Sequence, residues 1–127
     1  MITITLLRVW RRRLENRWAE VGDAARHPDY RGGKGSTGLC FSSIYWMVRE
    51  AEKVGVDRSE LTLVQATNSS ACPRHTWLRY RGYDIDLTAD QFGFSPVIFV
   101  REREHPGGSG RLRSWPKSMS PHHRALL

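Results

Sequence analysis

"HTWLRYRGYDIDLTADQFG", residues 75–93, decides how the rest of the chain is read. Its runs "HTWLRY" (75–80) and "YDIDLT" (83–88) are strand-like and are separated by Arg81-Gly82, the length and composition of a two-residue hairpin turn. Such a turn opposes residues whose numbers sum to 163, so His75 faces Thr88, Trp77 faces Asp86 and Arg79 faces Asp84. Opposed residues share a sheet face, and side chains alternate along each strand. His75, Trp77, Asp84, Asp86 and Thr88 therefore project to one side, with His75 and Asp86 as diagonal neighbours. A slip of one residue would separate them. The alternative for this face is an exposed polar surface, and Asp84 is expected there as a surface partner of Arg79.

Upstream, "LCFSSIYWMVREAEKVGV" (39–56) places Leu39, Ser43, Met47, Ala51 and Val54 on one helical face beside Ile44 and Val48, with Gly55 as terminator. "RGGKGSTG" (31–38) precedes it as a flexible glycine loop. It lacks the lysine and hydroxyl residue that follow the last glycine of a phosphate loop. Cys40 thus falls in the first turn of a largely buried helix. Between residues 5 and 26, Leu6, Leu7, Trp10, Leu14, Trp18 and Val21 form the apolar face of another helix, ended by His27-Pro28. Arg11, Arg12, Arg13 and Arg17 fall mostly elsewhere, on a solvated face. "ELTLVQAT" (60–67) and "SPVIFVRE" (95–102) add two strands.

The expected fold class is α+β: N-terminal helices, the second carrying the cysteine, packed on a small antiparallel sheet. Residues 1–104 are read as one catalytic domain. Residues 105–127, rich in Gly, Ser, Pro and basic residues, are read as a loosely ordered tail that docks through Trp115.

At 127 residues the chain has the size of one domain, and 39% hydrophobic residues suffices for a single core. Its longest apolar runs, such as "VIFV" (97–100), are too short for a membrane span. The start "MITITLLRVWRRR" puts the apolar part before the basic cluster and lacks a cleavage site, unlike a secretory signal. A cytoplasmic protein is expected, and delivery as a secreted effector is compatible with this reading. The net charge is +7, with most of the 20 Lys and Arg residues in the first 34 and last 27 positions. Basic flanks on a less basic middle permit nucleic-acid binding but signal it more weakly than a basic stripe.

Two cysteines, Cys40 and Cys72, do not make a disulfide scaffold or a four-ligand zinc site. His122 and His123 lack carboxylate or cysteine partners at metal-ligand spacing, so neither metal nor cofactor is expected. A helix N-terminus favours a thiolate, because unpaired backbone N–H groups and the macrodipole stabilise negative charge. The same N–H groups could hold an oxyanion. Against this, a cysteine in an apolar helix is usually core. The hairpin shifts that balance. A carboxylate beside an imidazole fixes its tautomer and stabilises the imidazolium that forms when the ring takes a thiol proton. Cys40, His75 and Asp86 supply nucleophile, base and orienter in that chain order.

With "TGLCFSSIYWMVREAEKVGV" and "HTWLRYRGYDIDLT" in this order, the chain resembles the papain-like superfamily, in particular its transglutaminase-like branch. That branch opens a core helix with a cysteine, starts a strand with a histidine and carries an aspartate on the next strand, often as Asp-x-Thr. The matching positions are Cys40, His75 and Asp86, with Asp86-Leu87-Thr88 as the Asp-x-Thr, and the resemblance covers residues 31–100. The chain is also similar to arylamine N-acetyltransferases, through "RGG" (31–33) and "CF" (40–41). Six residues, 34–39, lie between these, and no coenzyme-binding region is evident. Compact bacterial peptidases, deamidase toxins and peptidoglycan hydrolases are closer in size.

The resemblance implies attack on an amide or thioester carbonyl, an acyl-enzyme, and transfer to water or an amine. Peptidase, amidase, deamidase and transglutaminase chemistry all follow that course, with a protein or peptide substrate. Trp77 and Gln91 are the expected substrate-binding residues, while Trp46 is expected in the core. Gln65, Asn68 and Gln91 are candidates to position the substrate or its oxyanion. A Cys40–Cys72 disulfide would block the nucleophile and give redox control; otherwise Cys72 is a plain loop thiol. The alternative function is a basic, non-enzymatic binding module for nucleic acid or an acidic protein.

Overall fold

The computed structural model describes residues 1–67 and 74–127. It is an α+β fold in which two N-terminal helices pack on a five-stranded antiparallel sheet. Helix α1 spans Ile4–Val21, and its first turn is capped by the Thr3 hydroxyl, which accepts from Leu6 N at 3.1 Å. Leu7, Trp10, Leu14 and Trp18 are its buried stripe. The helix stops before His27-Pro28, at Gly22, whose φ of 69° ends the helical run; a 3₁₀ turn follows over Gly22–Ala25.

Arg11 departs from the sequence reading. It lies on the buried stripe rather than the solvated face. Its guanidinium forms a two-pronged pair with Asp90 (2.9 and 2.8 Å), donates to Leu87 O at 2.8 Å, and reaches Glu15 at 2.8 Å. A planar fork of donors suits such a site because nearly every N–H finds an acceptor.

Helix α2, Cys40–Lys53, follows the glycine loop and buries Ile44, Trp46, Met47, Val48 and Ala51. Trp46 packs edge-on against Trp10, with ring centroids 6.3 Å apart, and is a core residue as expected. Val54, assigned by periodicity to the buried face, is exposed because it is already the C-cap.

The strands are β1 (Leu61–Gln65), β2 (Thr76–Tyr80), β3 (Tyr83–Asp86), β4 (Ile98–Arg101) and β5 (Arg111–Arg113), in the spatial order β4-β3-β2-β1-β5. The hairpin register is the expected one: Leu78 pairs with Ile85, Arg79 with Asp84 and Tyr80 with Tyr83. Arg81 and Gly82 have φ of 49° and 80°, the left-handed pair that a tight two-residue hairpin requires. Leu61, Leu63, Leu78, Tyr80 and Ile85 join the helices in the main core.

The other face is not an open polar surface. Val64, Trp77, Asp84 and Asp86 are all buried. The Arg79–Asp84 pair exists at 2.7 Å, but Asp84 is fully buried rather than a surface partner. Residues 105–113 account for the cover. His105 stacks on Trp77 with centroids 3.7 Å apart and planes 5° from parallel. Gly110 packs so closely that a Cβ there would overlap Val64 Cγ1 and lie 3.0 Å from Trp77 Cζ2.

The expected loose tail is therefore structured. β5 pairs with β1 through Leu63–Arg113, Val64–Leu112 and Gln65–Arg111. A short helix α3, Pro121–Arg124, follows, and Leu126 is buried in the main core. Trp115 does dock, packing on Tyr45 at 5.8 Å beneath the Arg58 guanidinium. Gly/Pro/Ser-rich composition gave no sign of these contacts because they use single anchors rather than a periodic stripe. Among the described residues, no helix is long and apolar enough to cross a membrane.

Candidate active site

Cys40 is the first residue of α2, half-buried, and Leu39 before it offers no side-chain cap. The first N–H groups of an α-helix have no partner within it, so this end presents donors to whatever lies in front of it. The glycine loop that delivers Cys40 is anchored. Gly38, with φ of 74°, donates to Gln91 Oε1 at 3.2 Å and accepts from His27 N at 2.9 Å. A Cβ at Gly38 would lie 2.6 Å from Tyr30 Cβ, so only glycine fits this approach. Ser36 ties the loop to Asp90 at 2.5 Å, and Arg11 holds Asp90 from α1.

His75 immediately precedes β2. Its carbonyl accepts from Ala66 N at 3.0 Å, which extends the β1–β2 ladder to the histidine and fixes its backbone. Its Nε2 donates to Asp86 Oδ2 at 2.6 Å, the diagonal contact that the hairpin register implies. The other ring nitrogen, Nδ1, is buried and has no hydrogen bond of ordinary geometry among the described residues. Cys40 and His75 border the same cleft, of about 790 Å³. Burial alone disfavours the imidazolium. The charge and hydrogen bond of Asp86, with a smaller contribution from the hydrogen bond and charge of Cys40, outweigh it and push His75 up to about 10.

Asp86 is enclosed by donors. Oδ2 accepts from His75 and also from His105 Nε2 at 2.8 Å, while Oδ1 accepts from Thr88 N at 2.9 Å and Thr88 Oγ1 at 3.4 Å. Burial would raise its pKa, but the two rings and their hydrogen bonds hold it well below the usual carboxylate range. Gly107 N donates to His105 Nδ1 at 2.8 Å, so Nδ1 is the acceptor and Nε2 the donor directed at Asp86. His105 is the member of this group that the sequence reading missed. Its only local signal was a histidine in a Gly/Pro-rich segment.

His75, Asp86 and His105 also bring three potential metal-ligand atoms within 4.8 Å of one another. Their hydrogen-bond spacing and tautomers argue for a different role. A metal at His105 Nε2 would move the proton to Nδ1, setting it against the Gly107 N–H as donor against donor. The donor set suits a hydrogen-bonded relay centred on a carboxylate.

The other expected site residues divide. Gln91 borders the cleft, but its amide also braces the glycine loop, accepting from Gly38 N and donating to Thr88 O at 2.9 Å. Gln65 borders the cleft as well. Trp77 does not: it is 1% exposed beneath His105, so it supports the relay rather than lining a substrate groove. The hairpin register named its face correctly but could not reveal that the face is covered. Asn68 and Cys72, and with Cys72 any redox pairing, lie outside the described residues.

No family model, curated protein or solved structure matches this chain.

Proposed function

We propose that this chain is a thiol-dependent enzyme acting on amide bonds through an acyl-enzyme, on a core of the papain-like, transglutaminase-like kind. The observation that carries the reading is His75: Nε2 bound to a buried carboxylate, and Nδ1 without a hydrogen bond of ordinary geometry among the described residues, in the cleft that Cys40 borders. Both nitrogens of His105 and both oxygens of Asp86 have partners, which leaves His75 Nδ1 for the thiol.

In the proposed reaction, the Cys40 thiol proton has already passed to His75 Nδ1 before attack, and Asp86 holds the resulting imidazolium in place. The Cys40 sulfur attacks the carbonyl carbon, and the oxyanion is met by N–H groups at the start of α2. As the tetrahedral intermediate collapses, the C–N bond breaks and the leaving amine receives the proton from His75. Water or an amine then gives a proton to His75, attacks the thioester and regenerates the thiol. Peptidase, amidase, deamidase and transglutaminase activities differ only in donor and acceptor.

The test is alkylation of Cys40 by iodoacetamide at mildly acidic pH, located by peptide mapping. Cys40 should react faster than N-acetylcysteine, and His75→Ala should lose the excess, on the order of 10²-fold or more. His75→Asn, a smaller change, should lose it while keeping the folded spectrum. A Cys40 no more reactive than the free thiol overturns the proposal. A basic binding module would show that result together with salt-dependent binding that survives Cys40→Ala.

A further inference from the structure

The cleft in front of Cys40 is lined by Arg74, Arg113, His27, His122 and His123 among others, and by no aspartate or glutamate among the described residues. These groups come from four separate parts of the chain, so the bias is not the solvated face of one helix. Arg113 is the best placed. It projects from β5, its guanidinium lies 4.8 Å from the centre of the Phe41 ring, and Phe41 directly follows Cys40. Its one side-chain hydrogen bond among the described residues is a long contact to Thr76 Oγ1 at 3.5 Å, and it makes no ion pair there. Arg74 likewise has no carboxylate partner among the described residues, and the segment 68–73 beside it contains no acidic residue. Several arginines elsewhere are matched: Arg11 by Asp90, Arg79 by Asp84, Arg26 by Asp23 and Arg81 by Glu60.

One exposed carboxylate, Asp29, lies 3.7 Å from His27 Nδ1, and the buried Asp86 is engaged by His75 and His105. His122 and His123 experience the positive field directly. Burial is the largest cause, and neighbouring cations, among them Arg113 and Arg31, add to it; His123 is pushed down to about 4 and His122 is lowered too. A cluster of cationic and hydrogen-bonding groups whose lining holds no carboxylate among the described residues, facing a nucleophile, is an arrangement suited to an anion.

We propose that the acyl donor of this enzyme carries a compact anionic group, a carboxylate or a phosphate, close to the carbonyl that Cys40 attacks, and that Arg113 binds it. The inference rests on the thiol-enzyme reading and narrows it to acidic substrates. Arg113 would fix the anion, and the histidine side chains would donate or accept around it.

The test compares iodoacetate with iodoacetamide as alkylating agents of Cys40 in the full chain, with N-acetylcysteine as reference and peptide mapping to count Cys72 separately. The His75 imidazolium would itself attract iodoacetate, so the deciding quantity is the change in the iodoacetate-to-iodoacetamide rate ratio on substitution. Arg113→Gln should lower the ratio by about fivefold, the size expected for a partly exposed ion pair. Arg113→Lys, which keeps the charge, should retain most of it. An equal ratio in wild type and Arg113→Gln overturns the proposal. If that equality accompanies a fast iodoacetamide reaction, the thiol-enzyme reading stands and only the anionic substrate falls. If neither reagent outpaces its reaction with N-acetylcysteine, the reading beneath it falls first. Protection of Cys40 against iodoacetamide then identifies the anion. Protection by glutarate supports a carboxylate, and protection by inorganic phosphate supports a phosphate. Equal protection by glutarate and neutral glutaramide counts against any anion site.

Discussion

His75 and His105 donate to the same oxygen of one carboxylate, Asp86 Oδ2, at 2.6 and 2.8 Å. The two rings differ in freedom. His105 is fixed at both nitrogens and stacked on Trp77, whereas His75 keeps Nδ1 for the cleft. On the proposed function, His105 is a positioning residue that sets where Asp86 stands and how strongly it holds His75.

His105→Ala should leave a buried carboxylate one donor short, at a cost of about 1–3 kcal/mol by denaturant unfolding. It should also shift the pH profile of Cys40 alkylation, because Asp86 would then interact with His75 alone. His105→Gln, which can still donate to Asp86, should restore part of the profile. A stability loss with an unchanged profile would make His105 structural only.

The pH dependence of stability has a definite sign. The folded state raises His75 from its ordinary value of 6.5 to about 10, so over that interval it binds a proton that the unfolded chain has released. Its stabilising contribution is complete below about pH 6.5 and is lost as pH rises through 10. Unfolding free energy measured from pH 6.5 to 10 should fall for the wild type and fall less for Asp86→Asn. Parallel slopes would show that His75 is not held charged by Asp86.

Arg11 joins α1 to the segment that follows β3 through its two-pronged contact with Asp90. Arg11→Met should destabilise the fold by about 1.5–3 kcal/mol, the range for hydrogen bonds to charged groups. The glycine loop should loosen with it, since Asp90 also holds Ser36. Thermal unfolding together with hydrogen exchange at residues 36–39 checks both effects; a change below about 0.5 kcal/mol, the scatter of ordinary surface substitutions, would contradict them.

Gly110 is the tightest backbone approach on the covered face. Its φ of 72° and the absence of room beside Val64 and Trp77 make Gly110→Ala costly twice over, by about 1–3 kcal/mol. The substitution should also disturb His105 through Trp77 and slow Cys40 alkylation. Gly108→Ala, also at positive φ but with only Thr67 Oγ1 at 3.6 Å nearby, is the control, with the smaller effect.

What the sequence disclosed depended on locality. Arg81-Gly82 sets the hairpin register by itself, so the His75–Asp86 contact could be counted from the turn. Helical periodicity likewise put Cys40 at the start of α2. His105, Arg11, Asp90 and Arg113 were hidden because their partners are distant in sequence and their residue types usually face solvent. Trp77 shows the limit of register: alternation tells which side a residue faces, but not whether another segment covers that side.

The covering segment gives the molecule an order of assembly. β1 and β5 must find each other across the whole hairpin, a pairing whose closure entropy is met late relative to the turn at Arg81-Gly82. Until they do, His105 is away from Asp86, Arg113 is away from Phe41, and Cys40 stands beside an unbraced histidine. On the proposed function, the roof over the relay would thus work as a proofreader of the fold: a half-built chain would carry the same thiol without the means to use it.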